Sequence, residues 1–475
     1  MKTSSTNDTC REFSLFSEAT DLKRELGLPE TVSIVIGRII GSGIFRTPGP
    51  IMALVLSTSL FGFVWLLGGI ITIFAAVCYA ELVAMIPKSG GPYVFLRAAY
   101  PPVWAFLRGW AMFFVSETGA ITAVALVFAE YTSAFCTIAY GSPLPHYMVI
   151  MLALFTIWAL TIINCFGVFF SGIVQDVFST IKVIALGAVI GICFTAKGSW
   201  AHYSAPFWPE AFSWASVLSI FAAMRYAFFA YSGWEGATYV AEEVKNPRKN
   251  LPLSLFVGIA GVFLLYAGAN AAYIYQLPVE TIKNSSWIAV DAMQMAIGGV
   301  GGMLISVAVM INTFGNVSTQ VLCKARTWQA MSRDGLFFRS FSKLHPVYKT
   351  PNHSLIYQGL WASVLLFFAS AAQHSYEAII DFFSCTGTIF NIMTIASVII
   401  LRKKYPDAPR PYKAWLYPYS VIIIIAFYIV YLAATLITAF LPSLLGLVLT
   451  ASGLLYYYRE PIAAACMPGR KKLTP

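Results

Sequence analysis

The chain has 475 residues, 58% of them hydrophobic and 11% charged, where an average soluble protein is about 25% charged. Its 31 Lys and Arg stand against 21 Asp and Glu, a formal net charge of +10. This composition excludes a disordered chain and a water-soluble enzyme of ordinary make-up. It fits a polytopic membrane protein, because a bilayer core about 30 Å thick takes about 20 apolar residues per helix.

Residues 1–30 form a polar tail of mixed charge, without the apolar core of a cleaved signal peptide. Twelve apolar spans follow, near residues 31–57, 60–85, 103–135, 146–165, 171–196, 213–241, 251–276, 302–325, 353–373, 378–401, 417–438 and 441–458. Short connections join them, and a tail covers 459–475. No GxxxxGK[ST] loop occurs, so the chain carries no ATPase motif. The eight Cys form no CxxC pair and no cluster with metal-ligand spacing. The five His lie in loops or at span ends, with no HExxH arrangement. No metal, no cofactor and no enzymatic activity are expected.

With the N-terminus placed inside, 25 Lys and Arg fall in the inner segments or, for Arg108 and Lys324, at the inner ends of their spans, and two, Lys197 and Lys283, in the outer loops. This asymmetry obeys the positive-inside rule. It predicts a cell-membrane protein with both termini in the cytoplasm. Basic residues spread over several loops report topology, not a nucleic-acid-binding face.

Span one carries Gly41-Ser42-Gly43, followed by Pro48 and Pro50. Glycine costs a helix about 1 kcal/mol against Ala, so a break is expected there, with a second half-helix starting near Ile44. Free N–H groups at such an end attract an anion. Irregular backbone at membrane depth is tolerated where it lines a cavity or is buried in protein. The alternative reading of this segment is a small-residue packing patch. Span six reads Phe228-Phe229-Ala230-Tyr231-Ser232-Gly233-Trp234-Glu235-Gly236, an acid between glycines in an aromatic stretch. A second break five spans after the first is the pattern of transporters built from inverted repeats, which hold substrate at the midplane between broken helices. It also argues against an inert interaction subunit. A zwitterionic amino acid suits such a pair. Its carboxylate would take N–H groups of Ser42, Gly43 and Ile44. Its ammonium would take carbonyls near Ile39, Ile40, Phe229 and Ala230.

Ile39-Ile40-Gly41-Ser42-Gly43-Ile44-Phe45 resembles the first-helix signature of the amino acid–polyamine–organocation superfamily. Cys78-Tyr79-Ala80-Glu81-Leu82 with Lys88-Ser89-Gly90-Gly91 is similar to its second helix and inner loop. Val174-Gln175-Asp176-Val177-Phe178 with Lys182 resembles the fifth helix of the L-type amino acid transporter family. Glu242-Glu243-Val244-Lys245-Asn246-Pro247 and Leu251-Pro252 resemble the segment after helix six, and Phe314-Gly315-Asn316 with Ser332-Arg333-Asp334-Gly335 partly matches helix eight and its loop. The resemblance runs from about residue 31 to 415. It implies an all-α membrane protein of LeuT-type fold with 12 transmembrane helices. Two inverted five-helix repeats, 31–196 and 213–401, would carry discontinuous helices one and six, with two more helices over 417–458. It also implies amino acid exchange or uptake by alternating access.

Ionisable groups at membrane depth need a reason, at roughly 2.5–3.5 kcal/mol each on insertion scales. Lys182 resembles the family lysine whose ammonium stands where sodium-coupled relatives bind sodium, which implies sodium-independent transport; a structural ion pair is the alternative. Glu235 has three readings: partner of a cationic substrate, proton carrier, or a carboxylate satisfied by the break or by Arg225. The first two make proton-coupled or cationic amino acid and polyamine transport the alternative function. Arg38, Arg46, Glu117 and Arg225 depart from the family pattern. Arg46 and Arg225 are expected to pair, with Glu117 as a candidate gate partner, or to attract an anionic substrate. Glu81 is expected to anchor helix two to the inner loop. The expected substrate-binding set is Ile40, Ser42, Gly43, Ile44, Phe229, Ala230, Ser232, Trp234 and Glu235, with Lys182 and Glu235 coupling; Asn312 and Thr313 are further cavity candidates. Some relatives are disulfide-linked to a single-span partner through an outer-loop Cys after helix three. Cys136 lies several residues early for that position, so no such partner is expected.

Overall fold

The computed structural model describes residues 16–18, 23–166, 172–204, 206–209, 212–333, 335–348, 350–372 and 374–458. Among the described residues the regular elements are helices, and one isolated backbone bridge ties Leu26 to Val244. Among the described residues ten helices are long and apolar enough to cross a membrane, so the chain is a multi-pass membrane protein. Two expected spans are not among the ten. The fifth contributes the shorter apolar stretch Thr180–Thr195. The ninth, Asn352–Ser370, carries Asn352, His353, Gln358 and several serines.

Span one is three pieces: α1 (Leu28–Ile39), α2 (Gly43–Arg46) and α3 (Pro48–Val55). The break lies at residues 40–42, where Gly41 N–H turns back to the Ile39 carbonyl at 2.8 Å. Next come α4 (Thr58–Met85), α5 (Pro92–Ala99) and α6 (Pro102–Ala111). A π-helical turn, Met112–Ser116, joins α6 to α7 (Glu117–Tyr140), so span three is one long rod with a bulge. Such bulges re-aim side chains and concentrate at functional sites. Helices α8 (His146–Cys165) and α9 (Gly172–Thr195) complete the first half.

Span six begins with α10 (Trp214–Ala230) and continues as a 3-10 helix, Trp234–Glu243. Between them Gly233 adopts φ +96°, a left-handed conformation that side-chain-bearing residues rarely take. Then follow α11 (Pro247–Gln276), α12 (Val279–Asn284), α13 (Ile288–Ile297) and α14 (Gly299–Arg333). The segment between α11 and α14 therefore holds two helices, where a short connection was expected. The remaining helices are α15 (Asn352–Ser370), α16 (Ser375–Lys404), α17 (Tyr419–Thr438) and α18 (Phe440–Tyr457).

α11 packs along both α1 and α4, and α14 packs along α7. One end of the bundle, here the lower end, gathers the Leu26–Val244 bridge, the loop after α4 and the C-terminus of α16. Glu81 holds this end together. It accepts Arg402 Nε at 2.7 Å and Nη2 at 2.6 Å, and the Ala414 N–H at 2.7 Å. It anchors α4, but to the end of α16 and the segment before α17 rather than to the loop after α4 as expected.

Candidate functional site

The two helix breaks meet. A Cβ on Gly43 would lie 2.8 Å from Ala230 Cβ and closer still to its Cα, and a Cβ on Gly233 would lie 2.7 Å from the Arg38 carbonyl oxygen. The glycines thus let two irregular backbones touch. Tyr266 of α11 clasps both: its hydroxyl bridges the Ile39 carbonyl at 3.0 Å and the Ala230 carbonyl at 3.1 Å. Nothing in the sequence singled out Tyr266, because its partners lie on two other elements.

Beside the breaks is a cavity of about 210 Å³. Of the expected residues, Ser42, Gly43, Lys182, Phe229, Ser232, Trp234 and Glu235 line it. Ile40, Ile44 and Ala230 do not; their side chains are buried in the core. Asn312 and Thr313 are not in the lining either. Asn312 reaches the Gly41 carbonyl at 3.4 Å, and Thr313 bonds within its own helix. The wall from α14 is instead Asn316, Thr319 and Gln320, one turn further along.

The first rung of α2 is Phe45 N–H to the Ser42 carbonyl at 3.2 Å. The amides of Ser42, Gly43 and Ile44 precede it, and the first amides of a helix have no intrahelical partner. Ser42 Oγ is buried and unpartnered among the described residues. The carbonyl side is more occupied than expected. Ile39 O accepts Gly41 N–H and Tyr266, and Phe229 O accepts both the N–H (3.1 Å) and the hydroxyl (2.7 Å) of Ser232. Neither has a lone pair to spare for an ammonium.

Lys182 explains another freed carbonyl. In an unbroken helix Gly41 N–H would bond Gly37 O; because it turns to Ile39 instead, Gly37 O is released, and Lys182 Nζ donates to it at 3.1 Å. Lys182 is buried and has no ion-pair partner among the described residues.

Two layers of charge lie towards the upper end. Arg46 Nε contacts Glu130 Oε2 at 2.7 Å, Arg46 Nη2 contacts Glu377 Oε1 at 3.0 Å, and the guanidinium stacks on the Tyr376 ring. Arg225 Nε lies 2.8 Å from Asp381 Oδ1, with Thr438 Oγ1 on another guanidinium nitrogen. Phe229 packs against Tyr376 and Phe383. The expected pairing of Glu117 with Arg46 or Arg225 does not occur. Glu117, one residue past the π turn, lies 2.6 Å from Lys324 Nζ. Glu235 is half-buried without an ion-pair partner among the described residues, and Arg225 is taken by Asp381 rather than by it. Trp234 packs edge-on to Tyr79, ring centroids 4.6 Å apart.

Sequence reasoning missed Arg108 and Lys324. Both count there as inner-loop charges, since they stand at the inner ends of their apolar spans. The structure buries both, with Arg108 6% and Lys324 3% exposed. Arg108 lines the cavity.

The model of the family described as amino acid permease matches residues 26–462. The serine/threonine exchanger SteT of Bacillus subtilis is 32% identical over 447 residues, 94% of this chain and 98% of that protein. The large neutral amino acids transporter small subunit 2 of Mus musculus is 32% identical over 421 residues, 86% of this chain and 76% of that one. The b(0,+)-type amino acid transporter 1 of Mus musculus is 28% identical over 444 residues, 93% of this chain and 88% of that one.

Proposed function

The chain belongs to the amino acid permease family, and from that premise we propose that it is a sodium-independent amino acid exchanger working by alternating access. The observation that carries this reading is the meeting of two helix breaks at a cavity, with the amides of Ser42, Gly43 and Ile44 ahead of the first helical rung. Those amides would take the substrate carboxylate at the positive end of α2. Ala230 O, which accepts the Tyr266 hydroxyl, and Ile40 O would take its ammonium. Phe229, Ser232, Trp234 and Glu235 would surround the side chain. Lys182, seated on Gly37 O, would supply a fixed cation at the negative end of α1, so that no sodium ion is needed there.

The fold that goes with this function is the LeuT type: 12 transmembrane helices, with inverted five-helix units over 31–196 and 213–401. The excess of Lys and Arg in the segments of the lower end supports a cytoplasmic lower end and cytoplasmic termini, in a cell membrane. The Arg46 and Arg225 layers then close the outer side, and their separation would open it. No disulfide-linked subunit is part of this reading, which rests on the early position of Cys136. Proton-linked or cationic transport through Glu235 is disfavoured by the cations that face that carboxylate, Arg108 and Lys324 among them.

The test is counterflow. Purified protein in liposomes loaded with single unlabelled amino acids should take up labelled amino acid equally in sodium and in choline medium, and with or without a pH gradient. Failure of every amino acid to exchange overturns the function; a strict need for sodium overturns the role of Lys182.

A further inference from the structure

The charges at the cavity do not balance. Its lining carries Arg38, Arg108, Lys182 and Arg225 against Glu117 and Glu235. Arg225 is matched by Asp381, and Glu117 by Lys324. What remains is three cations, Arg38, Arg108 and Lys182, and one carboxylate, Glu235, with no ion pair within 4.0 Å among the described residues. Two positive charges are uncompensated in a buried site, where an unpaired charge is costly. The α2 amides add further positive potential.

Arg108 is the most exacting of the three. Its side chain is more than nine-tenths buried, and its Nε has no hydrogen-bond partner among the described residues. The Phe390 ring lies under its guanidinium at 5.6 Å. The π turn at Met112–Ser116 lies directly after its helix, and Ser116, whose buried Oγ is also unpartnered, lines the same cavity. A planar guanidinium fits a carboxylate by two parallel hydrogen bonds, and Nε is a vacant donor here. Lys182, by contrast, already has Gly37 O.

We propose that the substrate is an amino acid with an anionic side chain, such as glutamate or aspartate, whose side-chain carboxylate is held by Arg108 with Arg38 alongside. This rests on the amino acid transport proposed above and specifies its substrate class. The α-carboxylate and α-ammonium cancel, so a neutral amino acid leaves the twofold positive excess unchanged. A cationic one raises it, and an acidic one halves it.

The experiment uses full-length protein in liposomes at neutral pH, where both carboxylates are ionised. Unlabelled glutamate, glutamine, aspartate, asparagine, cysteate, serine and arginine compete for uptake of labelled glutamate and, separately, labelled serine. Glutamate is expected to outcompete glutamine, its uncharged isostere, by about tenfold or more, each tenfold being about 1.4 kcal/mol. Cysteate should compete as well, which would place recognition on the charge; its failure beside success of glutamate would restrict the site to carboxylates, within the proposal. Arg108→Gln should lower glutamate uptake on the order of thirtyfold more than serine uptake, the scale of losing one side of a desolvated charge pair. Arg108→Lys should restore part of that difference. Exchange of serine or glutamine without glutamate or aspartate would overturn the acidic substrate and leave amino acid transport standing. No exchange by any compound would overturn both. An equal loss of glutamate and serine uptake in R108Q would overturn the assignment of Arg108. If that variant does not fold, the glutamate-to-glutamine ratio in the unmodified protein decides.

Discussion

The Lys182 ammonium sits 3.1 Å from the Gly37 carbonyl, the acceptor that a continuous helix would have given to Gly41. A helix break and the buried charge facing it are thus one device. The break frees a carbonyl, and the lysine satisfies it.

Replacing Lys182 by Met removes that donor and leaves a buried carbonyl unsatisfied, at a cost of about 1–3 kcal/mol. Exchange in liposomes is expected to fall by about tenfold or more, while the detergent-purified protein still elutes as a single species. Wild-type exchange rates in K182M would show that the ammonium has no part in transport.

Gly43→Ala puts a methyl group into the backbone of Ala230. Overpacking of this kind costs about 1–3 kcal/mol, and the clash is with main chain, which cannot swing aside. Uptake should fall sharply. Gly62→Ala, where nothing lies within 4 Å of the new methyl group, is the control and should transport normally. Equal activity of the two variants would show that the breaks do not need to touch.

Tyr266→Phe deletes one hydroxyl, whose single proton is shared between Ile39 O and Ala230 O. At about 1 kcal/mol net for a typical bond, and more where a buried acceptor is left bare, a loss of about 2 kcal/mol is expected. It would appear as a lower thermal midpoint, together with slower exchange because both half-helices lose their common tether. An unchanged midpoint would mean that the carbonyls find other donors.

Glu130→Gln weakens the hold on Arg46, which keeps only Glu377. Removing one partner of a buried pair commonly costs about 3–5 kcal/mol, and here the cost falls on the conformation closed at the upper end. A cysteine placed at Phe229, on the cavity side of that layer, should react faster with an impermeant thiol reagent from outside in the E130Q background than in its absence. Equal rates would remove Arg46 from gating.

Glu81→Gln breaks the fork with Arg402 and weakens the bond from Ala414 N–H. A substantial fall in thermal midpoint is expected, with substrate preference unchanged, because the carboxylate does not line the cavity. A changed preference with an unchanged midpoint would contradict the anchoring role.

Much of this was legible from one sequence. Both helix breaks fall where Gly41-Ser42-Gly43 and Gly233 weaken the helix, because helix propensity is local. Glu81 was legible as an anchor at the end of an apolar span, but its partners, Arg402 and Ala414, lie far along the chain and not in the loop beside it. Asn312 and Thr313 were chosen one turn too early, because the face that α14 turns to the cavity depends on its rotation against α7. Arg108 and Lys324 were read as topology charges, because a cation at the edge of an apolar run looks the same in sequence whether water or protein covers it.

The sequence by itself determined that this is a multi-pass helical membrane protein and which helices break, since apolar run length and glycine act within a few residues. Tertiary structure alone decided which charges are matched. Arg46 meets Glu130 and Glu377, Arg225 meets Asp381, and Lys324 meets Glu117, each pair joining different helices. Arg38, Arg108 and Glu235 are left to the cavity because electrostatic pairing at low dielectric is set by distances across the packed bundle, which no spacing along one helix encodes.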